Sequence, residues 1–320
     1  MKSKEARSSR QPVIAIVGPT AVGKSDLALY LAQCFPSEII GADSRQVYRH
    51  MDIGTNKPTS DERAAVPHHV IDVIEPDEDF SLAIYHQLAV EALNTIAHKG
   101  KSPLLVGGSG LYVWSLIEGW QVPRVGPDQK LRRDLEVRAE QEGSHMLHEE
   151  LRDIDPIAAA RTDPRNTRRI IRALEIWHGT GQPPSRLRHK VAPGFPALVI
   201  GLTRQRGELY REIDRRVDRM LQRGLVEEVE QLLSNGYGPS LPSMSGIGYR
   251  QIVQFLRGEM TLPEAADKMK YETHRLARHQ YAWFRLSDSR IHWFDLSGAG
   301  DKNSAATLGR VKGVIEDFIS

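Results

Sequence analysis

The sequence predicts an α/β fold in which a parallel sheet flanked by helices is interrupted by an all-helical insertion. Short apolar runs typical of buried strands alternate with helical periodicity up to about residue 118. From residue 119 to 196 only helical periodicity occurs, and the apolar run Ala197–Thr203 then restores the strand pattern. We therefore expect a core of residues 1–118 and 197–320, with residues 119–196 as the insertion.

Composition indicates a globular protein without a membrane span. Of the 320 residues, 40% are hydrophobic and 26% are charged, and no apolar run approaches the length that crosses a bilayer. The polar first ten residues lack the apolar region of a secretory signal. The single cysteine, Cys34, excludes an internal disulfide and a cysteine-based zinc site. These features predict a cytoplasmic protein.

The first functional motif follows the first predicted strand, Val13–Val17. Residues 18–25, GPTAVGKS, match the G-x-x-x-x-G-K-S phosphate-binding loop, and helical periodicity continues to residue 35. Glycines let backbone N–H groups surround a phosphate at a helix N-terminus. Lys24 adds a positive charge and Ser25 can hold Mg²⁺. The core is therefore predicted to be P-loop NTPase-like and to bind a diphosphate or triphosphate through Gly18, Pro19, Thr20, Ala21, Val22, Gly23, Lys24 and Ser25.

Asp43 follows the second predicted strand, residues 38–42. In open α/β sheets, ligands bind beyond the carboxyl ends of the strands, which places Asp43 at the same edge as the phosphate loop. Asp is also a common helix N-cap. From position alone, a functional role and a capping role are equally supported.

The remaining core elements follow in order. Residues 51–67 are rich in turn residues and predict a loop. Strands are expected at 68–74, 102–107, 197–203 and 292–296, and helices at 81–98, 110–118, 205–234, 249–257, 263–285 and the C-terminal tail. The helix over 263–285 carries basic and aromatic side chains, which fit either core packing or stacking on unpaired bases.

The insertion is predicted to contain helices at 129–141, 145–153 and 166–178. Its later part is basic, because residues 161–190 include eight Lys or Arg against two Asp or Glu. A charge run of this kind is often only a solvated face. Arginines this dense and this poorly compensated favour contacts with a nucleic-acid phosphate backbone.

Several stretches together resemble one family. They are GPTAVGKS at 18–25, ADSRQVYRHMDIGTNKP at 42–58, LLVGGSGLY at 104–112, LTRQRGELYREIDRRVDRML at 202–221, GIGYRQ at 246–251 and THRLARHQYAWFR at 273–285. In this order, over residues 12–296, the chain is similar to the tRNA dimethylallyltransferases, also called tRNA isopentenyltransferases. The block at 42–58 is far more specific than the phosphate loop, which many NTPases share.

The resemblance implies an activity and its partners. The family transfers a dimethylallyl group from dimethylallyl diphosphate to the exocyclic amine of an adenosine in tRNA. That adenosine lies on the 3′ side of the anticodon in tRNAs whose anticodon ends in A. The loop would then hold a prenyl diphosphate with Mg²⁺, and the insertion would bind the anticodon stem-loop. We expect no membrane partner and a monomer.

The resemblance also implies roles for single residues. Lys24 and Arg216 would stabilise the diphosphate, Asp43 would act as the base on the adenine amine, and Ser109 keeps a hydroxyl where many members carry Thr. The implied tRNA contacts are Asp43, Ser44, Arg45, Gln46, Ser109, Arg132, Arg168, Arg169, Ile170, Ile171, Arg172, Gly246, Ile247, Gly248, Tyr249, Arg250 and Gln251. The chain departs from the family at Arg278-His279, where many members carry Lys-Arg. Because histidine carries less permanent charge than arginine, this departure affects how strong the contact at these positions is, not whether it exists.

Three other functions compete with this interpretation. A P-loop small-molecule kinase would explain the phosphate loop but would leave the basic insertion without a role. An adenylate isopentenyltransferase would share the loop and Asp43 but would not need the insertion. A non-enzymatic RNA-binding protein would need neither Lys24 with Ser25 nor Asp43 at a strand end.

Overall fold

A parallel six-stranded sheet forms the centre of the protein in its computed structural model, which describes residues 11–123, 125–187, 189–298 and 301–319. The strands lie in the order β3-β2-β4-β1-β5-β6, and all adjacent pairs are parallel. The strands are β1 Val13–Val17, β2 Ser37–Gly41, β3 His68–His69, β4 Ser102–Gly107, β5 Ala197–Thr203 and β6 Ile291–Asp295. The predicted α/β fold with a P-loop-like parallel sheet is confirmed.

Helices connect these strands and follow them in the chain. They are α1 Lys24–Cys34, α2 Ser60–Ala65, α3 Leu82–His98, α4 Gly110–Ile117, α5 Gln129–Glu142, α6 Ser144–Ile154, α7 Pro156–Ala160, α8 Thr167–Thr180, α9 Pro184–Leu187, α10 Arg206–Gln222, α11 Leu225–Ser234, α12 Tyr249–Leu256, α13 Leu262–Trp283 and α14 Asp301–Ile319. Over the described ranges, none of these helices is both long and apolar enough to cross a membrane.

The chain divides into two compact units. The first contains the described residues to Glu78, Gln87–Val113 and those from Gly194, and the second contains Asp79–His86 and Trp114–Pro193. The longer segment of the second unit, Trp114–Pro193, begins and ends within a few residues of the predicted insertion. The shorter segment Asp79–His86 was not predicted as part of the insertion; from Leu82 onward it is the start of α3, which continues into the first unit.

The sheet is buried on both faces, as its near-continuous apolar strands require. Every residue of β1 is buried, and Ile14, Ile16, Leu31 and Leu104 are at most 1% exposed. Truncating one such side chain to alanine typically costs about 2–5 kcal/mol of stability. This core fixes the carboxyl edge of β1, β2 and β4, where Val17 pairs with Gly107 and Gly41 with Val106.

Three element predictions need correction. The strand expected at 68–74 ends after His69, because Val70 and Asp72 adopt left-handed φ values of 61° and 54°. The helix expected at 205–234 is two helices, separated at Gly224 with φ 94°. The loop expected at 51–67 contains α2, which Thr59 and Glu62 cap reciprocally in a capping box.

The second unit is built from helices around its own apolar core. Leu135 of α5, Leu147 and Leu151 of α6, and Ile170 and Leu174 of α8 pack together, each at most 2% exposed. The apolar positions of α8 repeat every three to four residues, so one face of this helix is buried. The opposite face remains available for polar side chains.

Candidate active site

A cleft of about 360 Å³ opens at the carboxyl edge of the sheet in the first unit. The loop after β1 contributes Thr20 and Lys24, the segment after β2 contributes Asp43 and Gln46, and α10 contributes Arg216. Ligands of open parallel sheets bind at this position. The structure therefore brings together the phosphate loop, Asp43 and Arg216, as predicted from the sequence.

The phosphate loop depends on its two flanking glycines. Gly18 has φ 141°, and a Cβ there would lie 2.4 Å from the Leu202 carbonyl oxygen. Gly23, which precedes α1, has φ 106°. Even Ala21 is left-handed, with φ 62°. A side chain at either position would be strained, so the backbone path of the phosphate loop requires glycine at both 18 and 23.

Two cations lie in the loop region without a carboxylate bonded to either of them among the described residues. The Lys24 ammonium donates to the carbonyl oxygens of Gly18 at 3.0 Å and Pro19 at 2.7 Å, and Arg216 donates to the Thr20 hydroxyl at 2.8 Å. Burial, together with the charge of Arg216, lowers the pKa of Lys24 to about 7, although Asp43 opposes this shift. Burial also lowers the pKa of Arg216. An anion bound here would favour the charged forms of both Lys24 and Arg216.

Asp43 does not cap a helix, because the next helix begins at Ser60. Its Oδ1 accepts a hydrogen bond from the Arg45 N–H at 2.8 Å, which closes a local turn. The Ser109 hydroxyl accepts from the Ser44 N–H at 3.1 Å, and the Ser109 N–H donates to the Ala42 carbonyl at 3.1 Å. The alternative that Asp43 is a helix N-cap is therefore wrong. The segments that carry Asp43 and Ser109 are joined by these two hydrogen bonds.

Gln280 was not predicted as a site residue. Its Oε1 accepts from the Thr20 N–H at 2.7 Å, and its Nε2 donates to the Gly108 carbonyl at 3.2 Å. This buried amide on α13 thus joins the phosphate loop to the turn after β4. Only the likeness of the stretch 273–285 to a family could have signalled it, since its partners lie far away in sequence. Arg204 and Arg219 also line the cleft and were not predicted.

Arg45 and Gln46 are held by different partners. The Arg45 guanidinium donates to the Pro242 carbonyl at 2.8 Å, so it supports the turn that precedes the GIGYRQ stretch. The Gln46 amide nitrogen donates to the carbonyls of Thr55 at 3.2 Å and Asn56 at 3.1 Å. Gln46 lines the cleft, as does Asp43.

The GIGYRQ stretch, residues 246–251, is mainly a scaffold. Tyr249 is 2% exposed and Gln251 is fully buried, where its Oε1 accepts from the Gly248 N–H at 2.8 Å. These two side chains are therefore not available to tRNA at the surface, and contacts at these positions through the backbone stay predictions. Ile247 is half-buried and Arg250 is exposed and paired with Glu272, so contacts at these positions stay predictions.

The arginines of α8 divide into two groups in the second unit. Arg168 and Arg169 are exposed. Arg172 pairs with buried Glu175, and Arg132 of α5 donates to the same carboxylate at 2.8 and 3.0 Å. Arg172 and Arg132 therefore carry an internal ion-pair network in addition to any contact with RNA.

Ile170 and Ile171, which the resemblance placed in the same RNA-contacting stretch, are 0% and 4% exposed. Their side chains belong to the apolar core of the second unit. These two side chains are therefore not available to tRNA at the surface, and contacts at these positions through the backbone stay predictions. A continuous stretch of helix cannot present all its residues to one ligand, because successive side chains point in different directions.

Comparisons with known proteins agree on one family. The family model of IPP transferase matches residues 46–287, more than half of the chain. A tRNA dimethylallyltransferase from Thermomicrobium roseum is 50% identical, over 92% of this chain and 89% of the relative. One from Roseiflexus castenholzii is 54% identical, over 86% of this chain and 90% of the relative.

Solved structures give the same result. A tRNA isopentenylpyrophosphate transferase from Bacillus halodurans is 40% identical with a TM-score of 0.69, over 96% of this chain and 97% of that one. A eukaryotic dimethylallyltransferase acting on tRNA is 29% identical with a TM-score of 0.80, over 97% of this chain and 79% of that one.

Proposed function

The chain belongs to the tRNA dimethylallyltransferase family, and from this premise we propose its reaction, its donor and its target nucleotide. It transfers a dimethylallyl group from dimethylallyl diphosphate to the exocyclic amine of an adenosine in tRNA. The target is the adenosine on the 3′ side of the anticodon, in tRNAs whose anticodon ends in A. The observation that carries this proposal is the single cleft that contains the phosphate loop, Arg216 and Asp43.

The leaving group is the diphosphate. When the bond between its oxygen and the allylic carbon breaks, negative charge develops on that oxygen. Lys24, Arg216 and backbone N–H groups of the phosphate loop would stabilise this charge. Pro19 has no N–H to contribute, and the Thr20 N–H is already bonded to Gln280. Donors that are fixed before the reaction contribute more than donors that must reorganise. Diphosphate binding also favours the protonated form of Lys24, whose pKa lies at about 7.

Oxygen ligands suited to Mg²⁺ lie in the same cleft. Ser25 is exposed, its hydroxyl has no hydrogen-bond partner in the described ranges, and Asp26 and Asp43 line the cleft beside it. Hydroxyl and carboxylate oxygens are the protein ligands that Mg²⁺ prefers. We propose that Ser25 holds the ion, which would neutralise part of the diphosphate charge.

Asp43 is the proposed general base. The adenine amine forms a bond to the allylic carbon and loses one proton, which the Asp43 carboxylate accepts. Its Oδ1 is held by the Arg45 N–H, so the side chain is oriented while its second oxygen has no hydrogen bond within the described residues. Ser109, bonded to Ser44, would help to position the base that enters the cleft.

The RNA contacts of the proposal are electrostatic and local. Arg168 and Arg169 present two exposed charges on one turn of α8, suited to phosphates of the anticodon stem-loop. The target base must leave its stack to reach Asp43. In a single-stranded loop this costs on the order of a few kcal/mol.

The test is to incubate the protein with labelled dimethylallyl diphosphate, Mg²⁺ and one acceptor at a time. The acceptors are an anticodon stem-loop with the target adenosine, the same RNA with a different last anticodon nucleotide, and AMP. Label in the first RNA alone supports the whole proposal. Label in both RNAs would refute the anticodon preference, label in AMP alone would indicate an adenylate isopentenyltransferase, and no label would refute the reaction.

A further inference from the structure

The orientation of the Gln46 amide is fixed by its neighbours. Both nearby atoms, the carbonyl oxygens of Thr55 and Asn56, are acceptors, so the amide nitrogen must face them. The Gln46 Oε1 then remains as an acceptor without a partner among the described residues, in a side chain that lines the cleft. Such an oxygen can accept a hydrogen bond from an N–H group of a ligand, whereas a ligand carbonyl at the same place would be repelled because both atoms are acceptors.

The loop that orients Gln46 is held from outside by one carboxylate. Glu228 of α11 accepts from the consecutive N–H groups of Asp52 at 2.9 Å, Ile53 at 2.7 Å and Gly54 at 3.1 Å. A fourth donor, the Tyr249 hydroxyl, lies 2.7 Å from the same carboxylate. Three successive N–H groups form an anion-binding nest, and hydrogen bonds to an ionised acceptor are roughly twice as strong as neutral ones.

The packing around this nest leaves the loop little freedom. A Cβ at Gly54 would lie 2.6 Å from the Tyr249 ring, so the loop backbone lies directly against that ring. At the end of the loop, the fully buried side chain of Lys57 donates to the Tyr48 carbonyl at 2.5 Å and to Asp52 Oδ1 at 2.6 Å. The carbonyls of Thr55 and Asn56 therefore point at Gln46 because residues 52–57 are clamped at both ends.

We propose that Glu228 is a positioning residue for base recognition, which acts through the loop 52–57 on the Gln46 amide. The Gln46 Oε1 accepts a hydrogen bond from the exocyclic amine of the target adenine, and it disfavours purines that carry a carbonyl at the same ring position. This inference rests on the proposed function. It adds a residue that contacts neither substrate nor donor.

Substitution of Glu228 by glutamine should disturb this arrangement without changing its size. Glutamine keeps one acceptor oxygen but turns its NH₂ group toward N–H donors, so part of the nest loses its partner. If Glu228 acts through Gln46, its effect should vanish once the Gln46 side chain is removed. A double-mutant cycle measures this dependence.

The experiment is single-turnover transfer at saturating anticodon stem-loop and dimethylallyl diphosphate. The variants are Glu228→Gln, Gln46→Ala and the double variant. Glu228→Gln should reduce the rate about tenfold in the wild-type background and less than about twofold in the Gln46→Ala background. The affinity for inorganic diphosphate should stay within about twofold, because within the described residues the hydrogen bonds of the nest to Glu228 involve no residue of the phosphate loop. Glu230→Gln, an exposed substitution on the same helix, should have no effect.

Additive rate losses in the cycle, or an unchanged rate for Glu228→Gln, would overturn the inference. If Glu228→Gln does not fold, Tyr249→Phe removes only one of the four donors and takes its place in the cycle. A second measurement compares binding of stem-loops that carry adenosine or inosine at the target position. The preference for adenosine should shrink in the folded variants, and an unchanged preference would contradict the role. Failure of the wild-type protein to transfer any label would instead refute the proposed function.

Discussion

Asp43 is held by one backbone N–H, that of Arg45 at 2.8 Å, and begins no helix. Asn would keep this hydrogen bond while lacking a basic oxygen. We therefore expect Asp43→Asn to retain the fold and to lose about 10²- to 10⁴-fold in single-turnover transfer, the range typical of a general base. The measurement uses saturating RNA and dimethylallyl diphosphate.

The melting temperature and RNA affinity of this variant serve as controls, and both should match the wild type. A rate loss below about tenfold would leave Asp43 as a residue that only orients the turn. In that case the proton would have to leave by another route.

Helix α8 carries two kinds of arginine: Arg168 and Arg169 are exposed and could bind RNA, whereas Arg172 forms an ion pair within the protein. The double substitution Arg168→Ala with Arg169→Ala removes two exposed guanidinium groups and no described ion pair. We expect weaker tRNA binding with a salt dependence reduced by roughly two in slope, since each lost phosphate contact lowers the slope by roughly one. Filter binding over a range of salt concentrations measures this slope.

Arg172→Ala provides the matched comparison on the same helix. Its guanidinium pairs with Glu175, which is 1% exposed, so removal leaves part of a buried charge uncompensated. We expect a destabilisation of about 2–4 kcal/mol in urea unfolding. If instead Arg172→Ala were as stable as wild type, Glu175 would be satisfied by Arg132 and the Asp128 N–H alone.

Strand β2 carries a buried carboxylate at the end opposite Asp43. Burial raises the pKa of Glu38, but hydrogen bonds from His69, Lys101 and Lys99 outweigh it and lower the pKa from 4.5 to about 2. The folded-state pKa is thus below the unfolded one. The carboxylate contributes stability at pH values above about 4.5, and this contribution is lost as the pH falls toward 2.

We therefore expect Glu38→Gln to lower the free energy of unfolding by about 2–3 kcal/mol at pH 7. The difference from wild type should narrow as the pH falls below 4.5, because the Glu38 carboxylate of the unfolded wild-type chain then takes up a proton while that of the folded protein stays ionised down to about pH 2. Urea unfolding at pH 7, 4.5 and 3.5 tests this. A difference that does not depend on pH would assign the loss to packing.

For the whole molecule, diphosphate binding should be visible as stability. The phosphate loop, Lys24 and Arg216 belong to the first unit, so inorganic diphosphate should bind in the absence of RNA. At one hundred times its dissociation constant, a ligand stabilises the folded state by about 2.7 kcal/mol. Lys24→Ala should remove most of the resulting shift in melting temperature and abolish turnover, while the Arg168→Ala, Arg169→Ala variant should keep the shift.

Calorimetry with and without inorganic diphosphate checks this expectation. A Lys24→Ala protein that keeps the full shift would contradict the role of Lys24 in binding the diphosphate. A Lys24→Ala protein that unfolds without ligand would make the lysine structural, which its bonds to the carbonyls of Gly18 and Pro19 would then explain.

Local patterns predicted most of the elements and the part of the site that a short segment carries. The strands β1, β4 and β5 were predicted with their observed bounds, because continuous apolar runs between turn residues have few other stable conformations. The phosphate loop was predicted because its glycines, lysine and serine must be adjacent in the chain to surround one phosphate. The strand at 68–74 was predicted too long, because composition does not report a left-handed φ at Val70.

The sequence by itself determined the alternation of strands and helices around the sheet, the position of the phosphate loop and the presence of a basic helix, because each depends on neighbouring residues. Only the tertiary structure decided the partners of individual side chains. Gln280 meets Thr20 across 260 positions, and Glu228 meets the N–H of Asp52 across 176. Tertiary contacts likewise bury Ile171 and pair Arg172, while Arg168 and Arg169 on the same helix stay exposed. Periodicity reports which face of an element is buried, whereas a hydrogen bond or an ion pair depends on distance in space, and the folded chain alone sets that distance.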